Sequence, residues 1–299
     1  MFDGKSKLIY HKCTMAYKIA YLYGNESGSC PLDDFTAFAK EQGVDFVLHE
    51  FDARKIEDAD LKAFSQYDAI IGAGTPVIHE SVVEHIAASQ NLYAKCSFKS
   101  TNISNLTTQN LVVVTDTFES EGGGFATTKE FGREAFDTQR FSELEIERTA
   151  RVAYELAEKL SRKVTLADAH ESLKTANLWR KIVSDINEDY PSCSLDFEST
   201  FDTARKLAEN PDAYGVILTS HTNFHALSGV ADLKSPLGDG TSVVAYLGET
   251  NVGLYKAERP NVYSPLFDCL ALCKMLELSF EMPALLAAWR EKTQNLLQK

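Results

Sequence analysis

The chain has no stretch near the roughly 18 consecutive apolar residues that a membrane-spanning helix requires, so membrane insertion is not expected. Positive charge is scarce: 30 Lys and Arg stand against 43 Asp and Glu, a net charge of −13 over 299 residues. A nucleic-acid partner needs a basic face to meet phosphate, and this balance argues against one. An acidic surface mainly serves solubility. The six cysteines, at 13, 30, 96, 193, 269 and 273, contain no CxxC pair. Cys269 and Cys273 are spaced i, i+4 within a helical pattern and read as buried thiols. A reducing compartment follows as the expectation: cytoplasm or, alternatively, mitochondrial matrix. Residues 1–14 are polar and mixed in charge. They read as an N-terminal extension or the remnant of a longer leader, with neither the apolar run of a secretory signal nor the Arg-rich composition of a transit peptide. G-x-G-x-x-G, Walker A and G-x-S-x-G are all missing, and so are internal repeats, low-complexity tracts and a Pro/Gly-rich linker.

What is present is an alternation of short apolar runs with helical patterns. Strands are predicted at 18–23, 44–49, 69–72, 111–115, 163–167, 215–219 and 242–247. Most of these runs are continuously apolar, as sheet buried on both faces requires. Ile146, Thr149, Ala150, Ala153, Ala157 and Leu160 form one stripe at helical spacing, and Leu178, Ile182, Val183 and Ile186 form another. Strand–helix alternation predicts an α/β fold with a largely parallel central sheet.

Such sheets place ligands at the carboxyl ends of their strands. Two glycine-bearing turns stand at strand ends and are candidate ligand turns: one with Gly24 and Gly28, the other with Gly72, Gly74 and Thr75. A plain strand-to-helix connection is the competing reading of each. The run E-S-E-G-G-G at 119–124 reads as a flexible loop, a lid or a long turn. His221 and His225 are spaced to share one face of a helix and could meet a metal ion together. His170, beside Asp168 after another predicted strand, is the candidate third ligand. Structural roles for these histidines are the competing reading.

An ordered series of blocks carries a resemblance. The run R-T-A-R-V-A-Y-E-L-A at 148–157 is similar to R-I-A-R-F-A-F-E-L-A of the isocitrate/isopropylmalate dehydrogenases. K-V-T-L at 163–166 and L-K-T at 173–175 resemble that family's K-V-T-L-V-H-K-A-N-V-L-K-T. D-A-I-I-G-A at 68–73 resembles D-A-I-L-L-G-A, and D-T-F-E at 116–119 stands where the family has E-N-T-E-G. The similarity runs from about residue 15 onward.

The resemblance implies a two-domain, isopropylmalate-dehydrogenase-like α/β fold. Residues 15–99 and 230–299 would form a large domain, and 100–229 an inserted dimerisation domain. It also implies NAD(P)- and Mg2+- or Mn2+-dependent oxidation and decarboxylation of a 2-hydroxy acid. Yet the family's working positions are altered here. Ala169 stands at the catalytic lysine, His225 and Gly229 at the metal-binding aspartates, and Ser97 at a substrate arginine. Glycines 122–124 replace the tyrosine segment, the 82–90 helix holds no arginine, and the adenosine loop after 255–262 is missing. Glycine cannot ligate magnesium, and alanine cannot move a proton. The expectation is therefore a non-catalytic structural or regulatory subunit without a cofactor. It would be paired with itself or with a related chain through helices at 145–160 and 222–232, where Ile146, Val152 and Leu156 would meet the partner. An active but diverged NAD(P)-dependent enzyme using Mg2+ or Mn2+ is one alternative, and a small-molecule binding module is another.

Overall fold

In the computed structural model, the described residues are 16–24, 31–72, 78, 80–102, 106–118, 121–129, 132–168, 173–233, 235, 242–258 and 265–297. The strands among them are β1 (Tyr17–Tyr23), β2 (Phe46–Asp52), β3 (Ala69–Gly72), β4 (Ala94–Lys99), β5 (Leu111–Asp116), β6 (Glu121–Lys129), β7 (Gly132–Gln139), β8 (Val164–Asp168), β9 (Leu195–Ser199), β10 (Val216–Thr219), β11 (Ser242–Leu247) and β12 (Leu254–Glu258). The helices are α1 (Pro31–Glu41), α2 (Asp58–Ala63), α3 (Glu80–Ser89), α4 (Glu143–Leu160), α5 (Lys174–Asn187), α6 (Thr200–Glu209), α7 (His221–Asp232), α8 (Pro265–Leu278) and α9 (Pro283–Leu297). None is long and apolar enough to cross a membrane.

Ten strands make one sheet in the order β2-β1-β3-β12-β11-β4-β5-β10-β8-β9, and β6 pairs with β7 in a separate hairpin. Neighbours run parallel on both flanks. The antiparallel pairs cluster in the middle, where β11 meets β12 and β4, and β4 meets β5. The mostly parallel α/β sheet expected from the alternating pattern is therefore present. One flank is built from residues 17–99 and 242–258, the other from 111–219.

Helices cover both faces. A large core joins one face to α1, α4, α5, α8 and α9, through residues such as Phe35, Ala153, Val183, Leu272 and Trp289. Two smaller cores lie on the opposite face, one under α2 and α3 and one under α6 and α7. α4 starts at a capping box: the Ser142 hydroxyl accepts from the Glu145 N–H at 3.3 Å, and the Glu145 carboxylate accepts from the Ser142 N–H at 2.8 Å. Its apolar stripe then faces the sheet.

That placement corrects one expectation. Ile146, Val152 and Leu156 are buried within the chain itself, so they are not a partner surface. Their stripe is used up against the large core. The glycine run is corrected too: 121–129 is a strand of the β6–β7 hairpin, with a register irregularity between Gly122 and Phe125, rather than a lid or turn. Strands β4, β7, β9 and β12 were also not anticipated. β9 lies at a sheet edge and reads L-D-F-E-S, with no apolar run to mark it. Cys96, Cys193, Cys269 and Cys273 are buried, as expected for the last two.

Gly248, just past β11, marks a tight approach. A Cβ there would fall 2.5 Å from the Asn91 carbonyl oxygen. Asn91 is held at φ 54° and cannot easily retreat. Gly248→Ala is expected to destabilise by about 1–3 kcal/mol, the usual cost of overpacking, read from the urea midpoint. An unchanged midpoint would show that the loop relaxes freely.

Candidate functional site

Strand β4 organises the centre of the sheet. Ala94, Cys96 and Phe98 point into the large core, so Lys95, Ser97 and Lys99 point to the other face. All six residues are buried, because α7 lies across the polar row. Phe224, Ser228 and Asp232, one helical turn apart on α7, meet it in register. The Lys95 ammonium sits 5.4 Å from the Phe224 ring centre and 5.9 Å from that of Tyr246. Ser228 donates to the Ser97 hydroxyl at 3.2 Å. Lys99 donates to the Asp232 carboxylate at 2.7 Å.

Lys95 also donates to Glu80 at the start of α3, which ties that helix to β4. Burial pushes the Glu80 carboxyl up, but the Lys95 ammonium, with Lys256 and His225 further off, outweighs burial and holds it below the usual range. Glu80→Gln would leave a fully buried ammonium without its counter-ion. A loss of about 1–3 kcal/mol is expected at neutral pH. A depressed carboxyl pKa contributes stability above the ordinary glutamate range and loses it as pH falls through the depressed value. The difference between Glu80→Gln and the parent should therefore shrink on acidification. A pH-independent difference in urea midpoints would refute the pairing.

The outward face of α7 carries the other half of the seam. His221, His225 and Gly229 follow one another at single-turn spacing; His221 is half-buried, and His225 and Gly229 are exposed. The His221 and His225 rings lie 5.4 Å apart and perpendicular. The structure thus brings these two together on a helix, as their spacing predicted. A Cβ on Gly229 would meet nothing within 4 Å. Ala169 and His170 lie outside the described residues, and so do Gly28, Gly74 and Thr75. Gly24 is buried at the end of β1, and Gly72 closes β3 against Ile78 and Lys256.

Further along the same sheet edge, the carboxyl end of β8 presents Asp168. Arg180 of α5 grips this carboxylate through two nitrogens, one of them at 3.0 Å. A hollow of about 230 Å³ opens beside it. On the same face of the sheet as Asp168, Asp116 ends β5. It accepts from Arg148 at 2.8 and 3.0 Å, from the Thr149 hydroxyl at 3.0 Å and from the Phe118 N–H at 2.7 Å. The Arg148 guanidinium stacks 4.7 Å from the Tyr93 ring centre. Sequence reasoning missed Lys95, Lys99 and Glu80; the alternation A-K-C-S-F-K was the only signal for the two lysines, and Glu80 had none.

The family model for isocitrate/isopropylmalate dehydrogenase matches residues 82–255, which include β4, β5, α4, β8 and α7. The chain belongs to this family. It is 29% identical over 177 residues to 3-isopropylmalate dehydrogenase of Chromobacterium violaceum, covering 56% of this chain and 50% of that one. It is 37% identical over 154 residues to that of Pseudoalteromonas translucida, covering 48% and 42%. The chain spans about half the length of the curated relatives it matches. Two solved structures share the fold: isocitrate dehydrogenase from Methylococcus capsulatus (TM-score 0.66, 18% identity, 91% of this chain and 88% of that one) and a beta-decarboxylating dehydrogenase from Thermococcus kodakarensis (0.64, 19%, 88% and 84%).

With the family established, the seam can be tested for the metal its resemblance implies. Magnesium takes oxygen donors. The nearby carboxylates are committed: Asp232 to Lys99, Asp168 to Arg180, Glu80 to Lys95. His225 offers an imidazole and Gly229 nothing. Among the described residues no group of three His, Cys, Asp or Glu gathers.

Proposed function

We propose that this chain is a non-catalytic member of its family, acting as a structural or regulatory subunit. One observation carries the reading: the outward face of α7 has room for ligating side chains yet presents His225 and Gly229, while the neighbouring carboxylates are held in ion pairs. The substrate-arginine position supports it, since Ser97 is sealed beneath Ser228. A nicotinamide nucleotide is not expected to bind. Only six residues connect β12 to α8, and the segment aligned with the family's adenosine loop is correspondingly short.

The two flanks of the sheet suggest a division into 15–99 with 230–299 and an inserted 100–229. The inserted part would carry a partner, either a second copy or a related chain. With the α4 stripe buried, the outward faces of α6 and α7 remain for pairing, where Phe201 is exposed. A reducing compartment, cytoplasm or mitochondrial matrix, suits the buried cysteines at 96, 193, 269 and 273. The names of the relatives favour the second reading, an active diverged dehydrogenase, and the same assay separates the two. NAD(P)H formation from isocitrate or 3-isopropylmalate with magnesium would establish the active enzyme. A zinc site formed by His221, His225 and His170 remains a proposal that metal analysis of the purified protein decides.

A further inference from the structure

A groove follows α4 on the face of the sheet opposite α7, away from Ser97, His225 and Gly229. One wall is the α4 stripe from Leu144 to Lys159, and the other is the turn after β11. Two hollows of about 360 and 90 Å³ compose it, and both touch Val152, Glu155, Gly248 and Glu249. The close packing of Gly248 on Asn91 holds that turn, and with it Glu249, in place. Three cations line the groove, and each has its own carboxylate: Arg148 has Asp116, Arg151 has Glu147 and Asp189, and Lys159 has Glu281. The Glu155 and Glu249 side chains make no ion pair or hydrogen bond among the described residues. Glu155 senses Lys159 and Arg151 only from beyond ion-pair distance.

Tyr93 lines the larger hollow and is 4% exposed. Its hydroxyl has no hydrogen-bond partner among the described residues, yet it is not one of their sealed, unpartnered polar atoms. The little of Tyr93 that reaches solvent therefore includes that oxygen. Burial pushes the hydroxyl up to about 12, and the charges of Glu249 and then Glu155 add to the rise, which sets both carboxylates near it. The Arg148 guanidinium covers the ring face at 4.7 Å, so the hydroxyl rather than the ring is left for a ligand. Polar groups of buried side chains nearly always have partners. Here one such hydroxyl and two uncommitted carboxylates border a single hollow, with Leu144 and Val152 as its apolar flank.

We propose that this groove binds a small organic cation, a primary ammonium on an apolar body, which donates to Glu155, Glu249 and the Tyr93 hydroxyl. An ammonium carries three donors and no acceptor, which matches that set. An anion is disfavoured, because the uncommitted charge is negative. A bare ion would leave most of the 360 Å³ unfilled, whereas Leu144, 69% exposed, gives an apolar body a surface to lie on. The inference requires neither catalytic activity nor its absence, since it uses none of Ser97, His225 and Gly229.

Cyclohexylammonium is titrated into the full chain carrying 13C-labelled leucine methyl groups. Leu144 reports on the groove, and Leu233, exposed beyond α7, is the control. Their resonances are assigned by loss in Leu144→Met and Leu233→Met. Cyclohexanol supplies the body without the charge, and ammonium ion the charge without the body. A saturable shift of Leu144 is expected with cyclohexylammonium only, with Leu233 unmoved. Glu155→Gln and Glu249→Gln, both at exposed positions, should each weaken binding about two- to fivefold, and Tyr93→Phe about two- to tenfold. The proposal is overturned if Leu144 stays still up to about 50 mM cyclohexylammonium, a generous ceiling for a fragment-sized ligand. It is equally overturned if Leu233 moves alike, or if cyclohexanol or ammonium ion produces the same shift. Parental affinity in Tyr93→Phe, or in the double variant Glu155→Gln with Glu249→Gln, overturns it as well.

Discussion

Purified protein supplied with magnesium or manganese, NAD or NADP, and isocitrate or 3-isopropylmalate is expected to form no reduced nucleotide above the enzyme-free rate. The reason is cumulative. A positioned proton-transfer group typically contributes about 10²–10⁴-fold in rate, and on the proposed reading alanine takes that position at 169. The metal's task is to polarise oxygen atoms of the substrate, and α7 offers His225 and Gly229 in place of carboxylates. Bidentate recognition of a substrate carboxylate needs a guanidinium, and Ser97 stands there.

Single restorations should fail, for two distinct physical reasons. Gly229→Asp is sterically free, since a Cβ meets nothing within 4 Å, yet it adds one ligand to an incomplete set. Ser97→Arg is not free: Ser97 is fully buried and bonded to Ser228, so an arginine there would have to displace α7. The first variant should fold normally and stay inactive, and the second should unfold at lower urea. Robust magnesium-dependent NAD(P)H production by the unaltered chain would sink the proposed function outright.

Arg148→Met should be the most damaging substitution for stability, at about 3–5 kcal/mol, the usual cost of removing one partner from a buried pair. Asp116 is 2% exposed. Its carboxylate is held by the two Arg148 bonds, the Thr149 hydroxyl and the Phe118 N–H. Even so, burial outweighs these partners and raises its pKa above the ordinary aspartate range. A raised carboxyl pKa means that the folded state takes up a proton more readily than the unfolded chain. The linked stability is full below the unfolded pKa and is lost as pH rises through the folded one. Without Arg148 that pKa should climb further, so the variant's deficit should be largest at neutral pH and smaller in acid. Asp116→Asn combined with Arg148→Met should recover part of the loss, because no charge is then left buried. Urea titrations of the parent and the two variants at two pH values decide this. A deficit below about 1 kcal/mol at neutral pH, the range of an exposed pair, would show that Asp116 is not held as described.

Much of the fold was legible because burial on both faces leaves a simple mark. β1, β3, β5, β8, β10 and β11 were each visible as apolar runs, and α4 and α5 as apolar stripes. β4 was not, since A-K-C-S-F-K reads as a strand with one wet face. That face is dry only because α7, more than a hundred residues further on, covers it. The α4 stripe was visible, but its partner was misjudged: helical periodicity shows that a face is buried without showing against what.

The sequence alone determined the alternating α/β plan and pointed to the family, because these rest on residue identity and local order. It also determined the His221–His225 pairing, which one turn of helix enforces. Tertiary structure alone decided which charged groups meet. Asp232 could have been a ligand by spacing and is instead the counter-ion of Lys99. Glu80 and Lys95 are fifteen residues apart and meet through the packing of α3 on the sheet. Trp179 looked like one more core residue, and its indole N–H, buried without a partner among the described residues, emerged only with the packing around it. Charge partners and orphaned donors depend on which surfaces long-range packing removes from water, and no local pattern records that.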